Sequence, residues 1–240
     1  MEVKNRLLNF DTIIYQNDEW FKFSLDSVLL VNFVTIHLRC KKIMDFACGN
    51  APIPMLLSYK TNAHIFGVEL QKCVYELGVK SIKENGMDRQ IELLNVDVRE
   101  IKKYFVSDSF DMVLCNPPYF KVSGNDDYLS ENEVKRIARH EVNLNLDDIL
   151  MNARYLLKNG GIFAMVHRSD RFIEIITKMK KYNLEPKKVQ FIYAKSGKNS
   201  ELFLIEGIKN GKSGMKVLPG FVVSNDDGSY TDEVKRMFSE

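Results

Sequence analysis

Apolar runs of strand length recur along this chain, with stretches of helical spacing between them. "KKIMDFA", "AHIFGVEL", "IELLNVDV", "FDMVLCN", "GIFAMVH", "VQFIYAK" and "ELFLIEGIK" are nearly continuous in hydrophobic residues. That pattern belongs to strands buried on both faces. "PMLLSYK" and "KCVYELGVKSIKEN" carry apolar residues at helical spacing, and Asn85-Gly86 supplies the stop of the second. "LDDILMNARYLLKNGG" is a further amphipathic helix, with Asp147 and Asp148 in its first turn and Gly160-Gly161 beyond its end. Strands alternating with helices require a mostly parallel sheet covered on both faces. The last two runs are joined by "SGKNS", short enough for a hairpin. The expected fold class is α/β: a doubly wound, Rossmann-like sheet of seven strands with an antiparallel hairpin at its C-terminal edge.

The 240 residues suffice for one domain. Residues 42–210 form its core, residues 1–40 an N-terminal extension, and residues 211–240 a tail packed back on the core through Val234, Met237 and Phe238. The extension reads as a hairpin over "TIIYQNDEWFKF" and a helix over "SLDSVLLVNFV", with Ser24 as its N-cap. Residues 120–138, "FKVSGNDDYLSENEVKRIA", start polar and read as a loop running into a helix. No apolar run reaches membrane-spanning length and no secretory pattern opens the chain, so a cytoplasmic protein is expected. Cys40, Cys48, Cys73 and Cys115 lack any metal-ligand spacing, which suits reduced thiols and no metal. The formal charge of +2 conceals basic clusters at Lys102-Lys103, Lys135-Arg136 with Arg139, Arg168 with Arg171, and Lys178 with Lys180-Lys181. Singly these read as solvated faces; together they suit a polyanion.

Four features fall on successive strand ends. The first is "DFACGNA", Asp45 to Ala51, a strand–turn–helix in which Gly49 lets the backbone pass close to a ligand. The dinucleotide pattern is incomplete, because its further glycine positions hold Ala51 and Pro54. The second is Glu69, twenty residues on, where a carboxylate suits the two hydroxyls of a ribose. The third is Asp97 in "NVDV", an acceptor for an adenine amino group. Either acid alone is as readily a turn or cap residue. The fourth is "CNPPYF". Prolines lack the N–H that a strand ladder needs, so the run ends there. The Asn116 side chain and the Pro117 backbone each offer a carbonyl acceptor, and Tyr119 offers a flat stacking face. Such an end clamps a planar NH2 group.

These four motifs, in this order on a βα repeat, resemble the class I S-adenosylmethionine-dependent methyltransferases that act on amino groups. "FSLDSVLL", "ARHE", "LLKNGGIFAMVHRSDR" and "GSYTDEVKRMF" further resemble the bacterial tRNA1(Val) adenine-N6-methyltransferases, which modify the adenine 3′ of the anticodon. The resemblance implies a cofactor site from Asp26, Asp45, Ala47, Gly49, Glu69, Leu70, Asp97, Val98 and Asn116. It implies a base site from Asn116, Pro117 and Tyr119. The partner it implies is the anticodon stem-loop of a tRNA, bound by a monomer, with Tyr119, Lys121, Lys135, Arg136, Arg139, His140, Arg168 and Arg171 as candidate RNA contacts. Two acceptors at an adenine amino group favour a pyramidal nitrogen whose lone pair points at the methyl donor, and positioning does most of the catalysis. No general base is assigned, and His140 reads as structural or an RNA contact. Alternatives are a methyltransferase of rRNA guanine N2 or protein glutamine N5, a nicotinamide oxidoreductase, and a non-catalytic RNA-binding module.

Overall fold

The computed structural model describes residues 2–7, 12–17, 25–117 and 144–239. Its centre is a nine-stranded sheet. Four strands form the half that matters for the site: β3 (Lys42–Phe46), β4 (His64–Val68), β5 (Ile91–Leu94) and β6 (Phe110–Cys115). They lie side by side as β6-β3-β4-β5, all parallel. Their residues are buried almost throughout, as the continuous apolar runs require: Ile43, Met44, Asp45 and Phe46 of β3 are all enclosed. Alternate residues face opposite cores. Ile43, Ile65, Met112 and Leu114 join one cluster, and Met44, Phe46, Phe66, Val68 and Val113 the other.

Helices cover both faces. α1 (Leu25–Phe33) and α2 (Pro52–Ser58) contribute to the first cluster; α4 (Leu146–Leu156) and α5 (Phe172–Lys181) to the second. α3 (Lys72–Glu84) stops where the sequence requires: Asn85 leaves helical geometry and Gly86 takes a φ of 64°, the left-handed region glycine adopts without strain. α4 begins at Asn145, whose side chain accepts from the Asp148 N–H at 2.9 Å. That is an N-cap the hydrophobic pattern did not single out.

The other half of the sheet departs from expectation. β7 (Leu157–Arg168) is parallel to β6, and β9 (Ser200–Lys209) pairs antiparallel with both β7 and β8 (Leu184–Lys195). The expected hairpin is present, but its second strand inserts between β7 and β8. The edge is covered as well: β10 (Lys216–Val217) and β11 (Phe221–Ser224) add to β8 in parallel, bringing seven strands to nine. Strand edges left open invite further pairing, and these short segments cap one. α6 (Asp232–Ser239) follows, with Val234 fully buried against the first cluster.

At the N-terminus, β2 (Ile13–Asn17) pairs with the preceding β1 (Glu2–Arg6); residues 18–24, which hold the second half of the expected hairpin and Ser24, lie outside the described residues. The outer edge of β2 is already occupied. Asn85 accepts from the Ile13 N–H and donates to its carbonyl, at 2.8 and 2.7 Å. Ser81 accepts from the Tyr15 N–H at 2.9 Å, and Asn50 donates to the Tyr15 carbonyl at 2.8 Å. Side chains of α3 and of the turn after β3 thus satisfy the backbone groups a third strand would have used.

Gly67 marks the tightest point between β4 and that turn. A Cβ there would sit 2.6 Å from Leu93 Cδ2 and 2.8 Å from Cys48 Sγ. Gly67→Ala is therefore expected to destabilise the protein by about 1–3 kcal/mol through overpacking, read as a lower urea midpoint at unchanged slope.

Candidate active site

The carboxyl ends of parallel strands are where an open α/β sheet binds ligands, and here they collect Asp45, Glu69 and Asn116. Asp45 is the fourth residue of β3, in register with Gly67 on one side and Leu114 on the other. It faces the same side of the sheet as Ile43 by strand alternation. Its carboxylate is fully buried, and neither oxygen has a hydrogen-bond partner among the described residues. Burial, and then the nearby charge of Glu69, push its carboxyl well above the ordinary range. An orphaned buried carboxylate is a costly arrangement that calls for a cationic or donor ligand.

The turn after β3 takes an unusual path. Ala47, Gly49 and Ala51 have φ of 52°, 59° and 70°. For the two alanines this left-handed geometry is strained by about 1–2 kcal/mol each, and strain of this kind gathers at ligand sites. Nothing lies within 4 Å of where a Gly49 Cβ would be, so the turn is open on that side. Asn50, between Gly49 and Ala51, is the residue that ties the turn to Tyr15 of the N-terminal hairpin.

Glu69 is almost as buried as Asp45. It accepts from the Gly49 N–H at 3.0 Å and the Gln71 N–H at 2.8 Å. Burial raises its pKa, and the backbone N–H groups of Gln71, Gly49 and Leu70 pull part of that shift back. The carboxylate therefore bridges the ends of β3 and β4. Asn95, beyond β5, donates to the carbonyls of Glu69 and Leu70 at 2.8 and 2.9 Å and locks the third strand end to the second. The Leu70 side chain stands half exposed beside it.

Asp97 caps the 3₁₀ turn Val98–Lys103: it accepts from the Arg99 N–H at 2.8 Å, and both its oxygens meet the Arg99 guanidinium. Burial pushes its carboxyl up, but the hydrogen bonds and charge of Arg99 outweigh it and hold the group below its ordinary value. The cap function is thus present. Val98 packs its side chain into the second core cluster, so any ligand contact it makes is through its backbone.

Asn116 and Pro117 follow β6 directly. Asn116 is half buried and its Nδ2 donates to Ser27 Oγ at 3.2 Å; Pro117 is buried. Ser27 lies beside Asp26 in the first turn of α1, so α1 meets the strand end at this point. Tyr119, Lys121, Lys135, Arg136, Arg139 and His140 lie outside the described residues. Arg168 is half-buried and paired with Asp170 at 3.0 Å. Arg171 does not fit its expected place as a surface phosphate contact: it is buried, with Nε and Nη2 on the Glu174 carboxylate at 3.0 Å. It also lies beside His167, whose pKa burial and then the Arg171 charge lower to about 4. A separate cavity of about 500 Å³, lined by His37, Arg39, Cys40, Asp111 and Lys158, opens at the amino ends of β3, β6 and β7, away from all these groups.

The fold agrees with comparison to known proteins. A family model described as a methyltransferase domain matches residues 39–238. The chain belongs to this methyltransferase family. The methyltransferase is 27% identical over 187 residues to the tRNA1(Val) (adenine(37)-N6)-methyltransferase of Aliivibrio salmonicida, covering 76% of this chain and 75% of that one. It is 20% identical over 224 residues to the protein of the same description from Flavobacterium psychrophilum, covering 92% of each. Among solved structures, a predicted O-methyltransferase from Agrobacterium tumefaciens superposes with a TM-score of 0.71 at 17% identity, covering 89% of this chain and 95% of that one. Geranyl diphosphate methyltransferase, solved with S-adenosylmethionine, gives 0.55 at 13% identity, covering 76% and 84%. These structural likenesses carry the fold.

Asp45 generates a test with a definite sign. Unfolded, an aspartate ionises near about pH 3.9; folded, Asp45 keeps its proton to higher pH. The folded state then binds more protons than the unfolded one, so the cofactor-free protein loses stability as pH rises from about 4 toward the raised value. Asp147, held down to about 2 by Lys178 and then Tyr182, acts oppositely and at lower pH. Denaturant titrations from pH 4 to 8 are expected to show a downward slope in wild type that is shallower in Asp45→Asn, the remainder coming from Glu69, whose carboxyl burial also raises.

Proposed function

We propose that this methyltransferase transfers a methyl group from S-adenosylmethionine to N6 of an adenine in a tRNA anticodon loop, adenine 37 of tRNA1(Val). The observation that carries the reading is the gathering of Asp45, Glu69 and Asn116-Pro117 on the adjacent ends of β3, β4 and β6, in a chain whose relatives are described as acting at that adenine.

The residues present fit the cofactor. Asp45, buried and without a partner among the described residues, would receive the ammonium of the methionine portion, and the open turn at Gly49 lets that portion approach the backbone. Asp26 closes this end from α1. Glu69 would exchange its bonds to Gly49 and Gln71 for the ribose hydroxyls, an exchange its acceptor-only carboxylate permits. Asp97, Leu70 and the Val98 backbone border the adenine. When bound, S-adenosylmethionine supplies a methyl group already activated on a sulfonium sulfur.

The remaining task falls to Asn116 and Pro117. Their carbonyls accept the two N–H bonds of the adenine amino group and direct the nitrogen lone pair out of the ring plane. Tyr119 stacks on the base. An anticodon-loop adenine leaves its stack at lower cost than a paired one. The phosphate contacts fall to Lys121, Lys135, Arg136, Arg139, His140 and Arg168. The enzyme acts in the cytoplasm, as a monomer.

Transfer of labelled methyl from S-adenosylmethionine to unmodified total tRNA, with nucleoside analysis, tests the proposal. N6-methyladenosine is expected with wild type, and at least about 100-fold less with Asn116→Ala, the scale for removing one positioned acceptor. Label in ribosomal RNA or protein instead would keep the reaction and overturn the substrate. Neutralising Lys135, Arg136 and Arg139 together is expected to flatten the salt dependence of tRNA binding by up to about three in log–log slope.

A further inference from the structure

Five buried side-chain atoms lack a hydrogen-bond partner among the described residues: both oxygens of Asp45, Gln16 Nε2, Gln71 Oε1 and Asn152 Oδ1. Asp45 and Gln71 belong to the strand ends of the candidate site. Gln16 comes from elsewhere, on β2 of the N-terminal hairpin, and is only 3% exposed. Its Oε1 accepts from Asn5 Nδ2 at 2.9 Å. Two amides can make one such bond with either pair of ends, so one polar end of Gln16 stays buried and unpartnered whichever way the pair is turned. A buried amide end is disfavoured unless something meets it.

The hairpin carries Gln16 toward the candidate site. β2 runs antiparallel to α3: Ile13 is bonded to Asn85 at the end of the helix, and Tyr15 to Ser81 one turn earlier. Gln16 comes next, toward the start of α3, which follows Glu69 and Gln71 directly. The Tyr15 carbonyl, joined to the Gln16 nitrogen, accepts from Asn50 in the turn after Asp45. Gln16 shares a face of β2 with Ile14. Ile14 belongs to the first core cluster, on the side of the sheet to which Asp45 points.

The methionine portion of S-adenosylmethionine carries an ammonium and a carboxylate on one carbon. The groups that hold them must therefore stand on one side of the sheet, as Asp45 and Gln16 do. A carboxylate only accepts, so it turns the amide with Nε2 toward itself, and an N–H bond to an ionised acceptor is the stronger kind. We infer that Gln16 binds the carboxylate of the methionine portion, which makes the N-terminal hairpin part of the cofactor site. The inference rests on the proposed placing of that portion at Asp45.

Calorimetric titration in the absence of tRNA tests it, with two ligands: S-adenosylmethionine and its decarboxylated form, which lacks the carboxylate alone. Gln16→Met keeps the length of the side chain and removes the amide. It is expected to weaken S-adenosylmethionine by about tenfold or more, the scale of a hydrogen bond to a charged group, and the decarboxylated form by less than about twofold. Asp45→Asn is expected to weaken both, because both keep the ammonium. Should Gln16→Met fold poorly, Gln16→Leu serves the same comparison, and the ratio of two affinities within one variant is insensitive to a loss that both ligands share. Equal weakening of the two ligands in the Gln16 variants, or unchanged affinity for S-adenosylmethionine, would overturn the inference while leaving Asp45 in place. Wild-type binding of both ligands by Asp45→Asn would overturn the placing of the methionine portion, and this inference with it. Neither outcome depends on which substrate receives the methyl group.

Discussion

Four adjacent strands, β6, β3, β4 and β5, run parallel, and the site exists because of that backbone constraint. Parallel neighbours end at one edge of the sheet, so groups separated by up to seventy residues of sequence arrive side by side. The same arrangement buries β3, β4 and β6 on both faces, which is why their sequences are so largely apolar and why a buried polar residue among them stands out. Asp45 is that residue. Everything near it is enclosed protein: Met44 and Phe46 on either side, Gly67 and Leu114 in register. A carboxyl group held there destabilises the folded chain by itself and makes sense with a ligand to meet it.

Around this centre the structure trades stability for shape. The turn from β3 into α2 forces two alanines into left-handed geometry, and Glu69 and Asn50 hold the strained path from opposite sides. Asn50 connects it to the N-terminal hairpin, and Asn95 connects β5 to β4. Side-chain amides thus add cross-links at the strand ends, beside the backbone bonds from the Cys48 N–H to Val68 and from the Glu69 N–H to Leu94. The N-terminal hairpin is drawn into the same network through Ser81 of α3 and Asn85 at its end, so the extension is fastened to the turn that borders the candidate cofactor site.

Much of this was legible in advance. Buried strands, amphipathic helices and the stop at Asn85-Gly86 follow from periodicity and turn chemistry, because both are local. Asp45, Glu69 and Asn116 could be picked out because an acid or an amide at the end of an apolar run is conspicuous. The hidden contributors were Ser27, Asn50 and Asn95. Each is an ordinary polar residue in an ordinary place, and its importance comes from a partner 25 to 89 positions away. Arg171 shows the opposite error: a cation in a basic cluster suggests a surface, yet Glu174, three residues later, encloses it.

The sequence by itself determined the α/β class, the parallel half of the sheet and the three strand ends that carry the candidate site residues, because hydrophobic period and proline chemistry act within a few residues. Tertiary structure decided the rest. It placed β9 between β7 and β8 and covered the β8 edge with β10 and β11, since strand order depends on which edges remain unpaired once the chain has collapsed. It paired β2 with β1 and closed the other edge of β2 with side chains of α3 and with Asn50. It also brought Ser27 to Asn116, a contact between a helix start and a strand end that no spacing rule encodes.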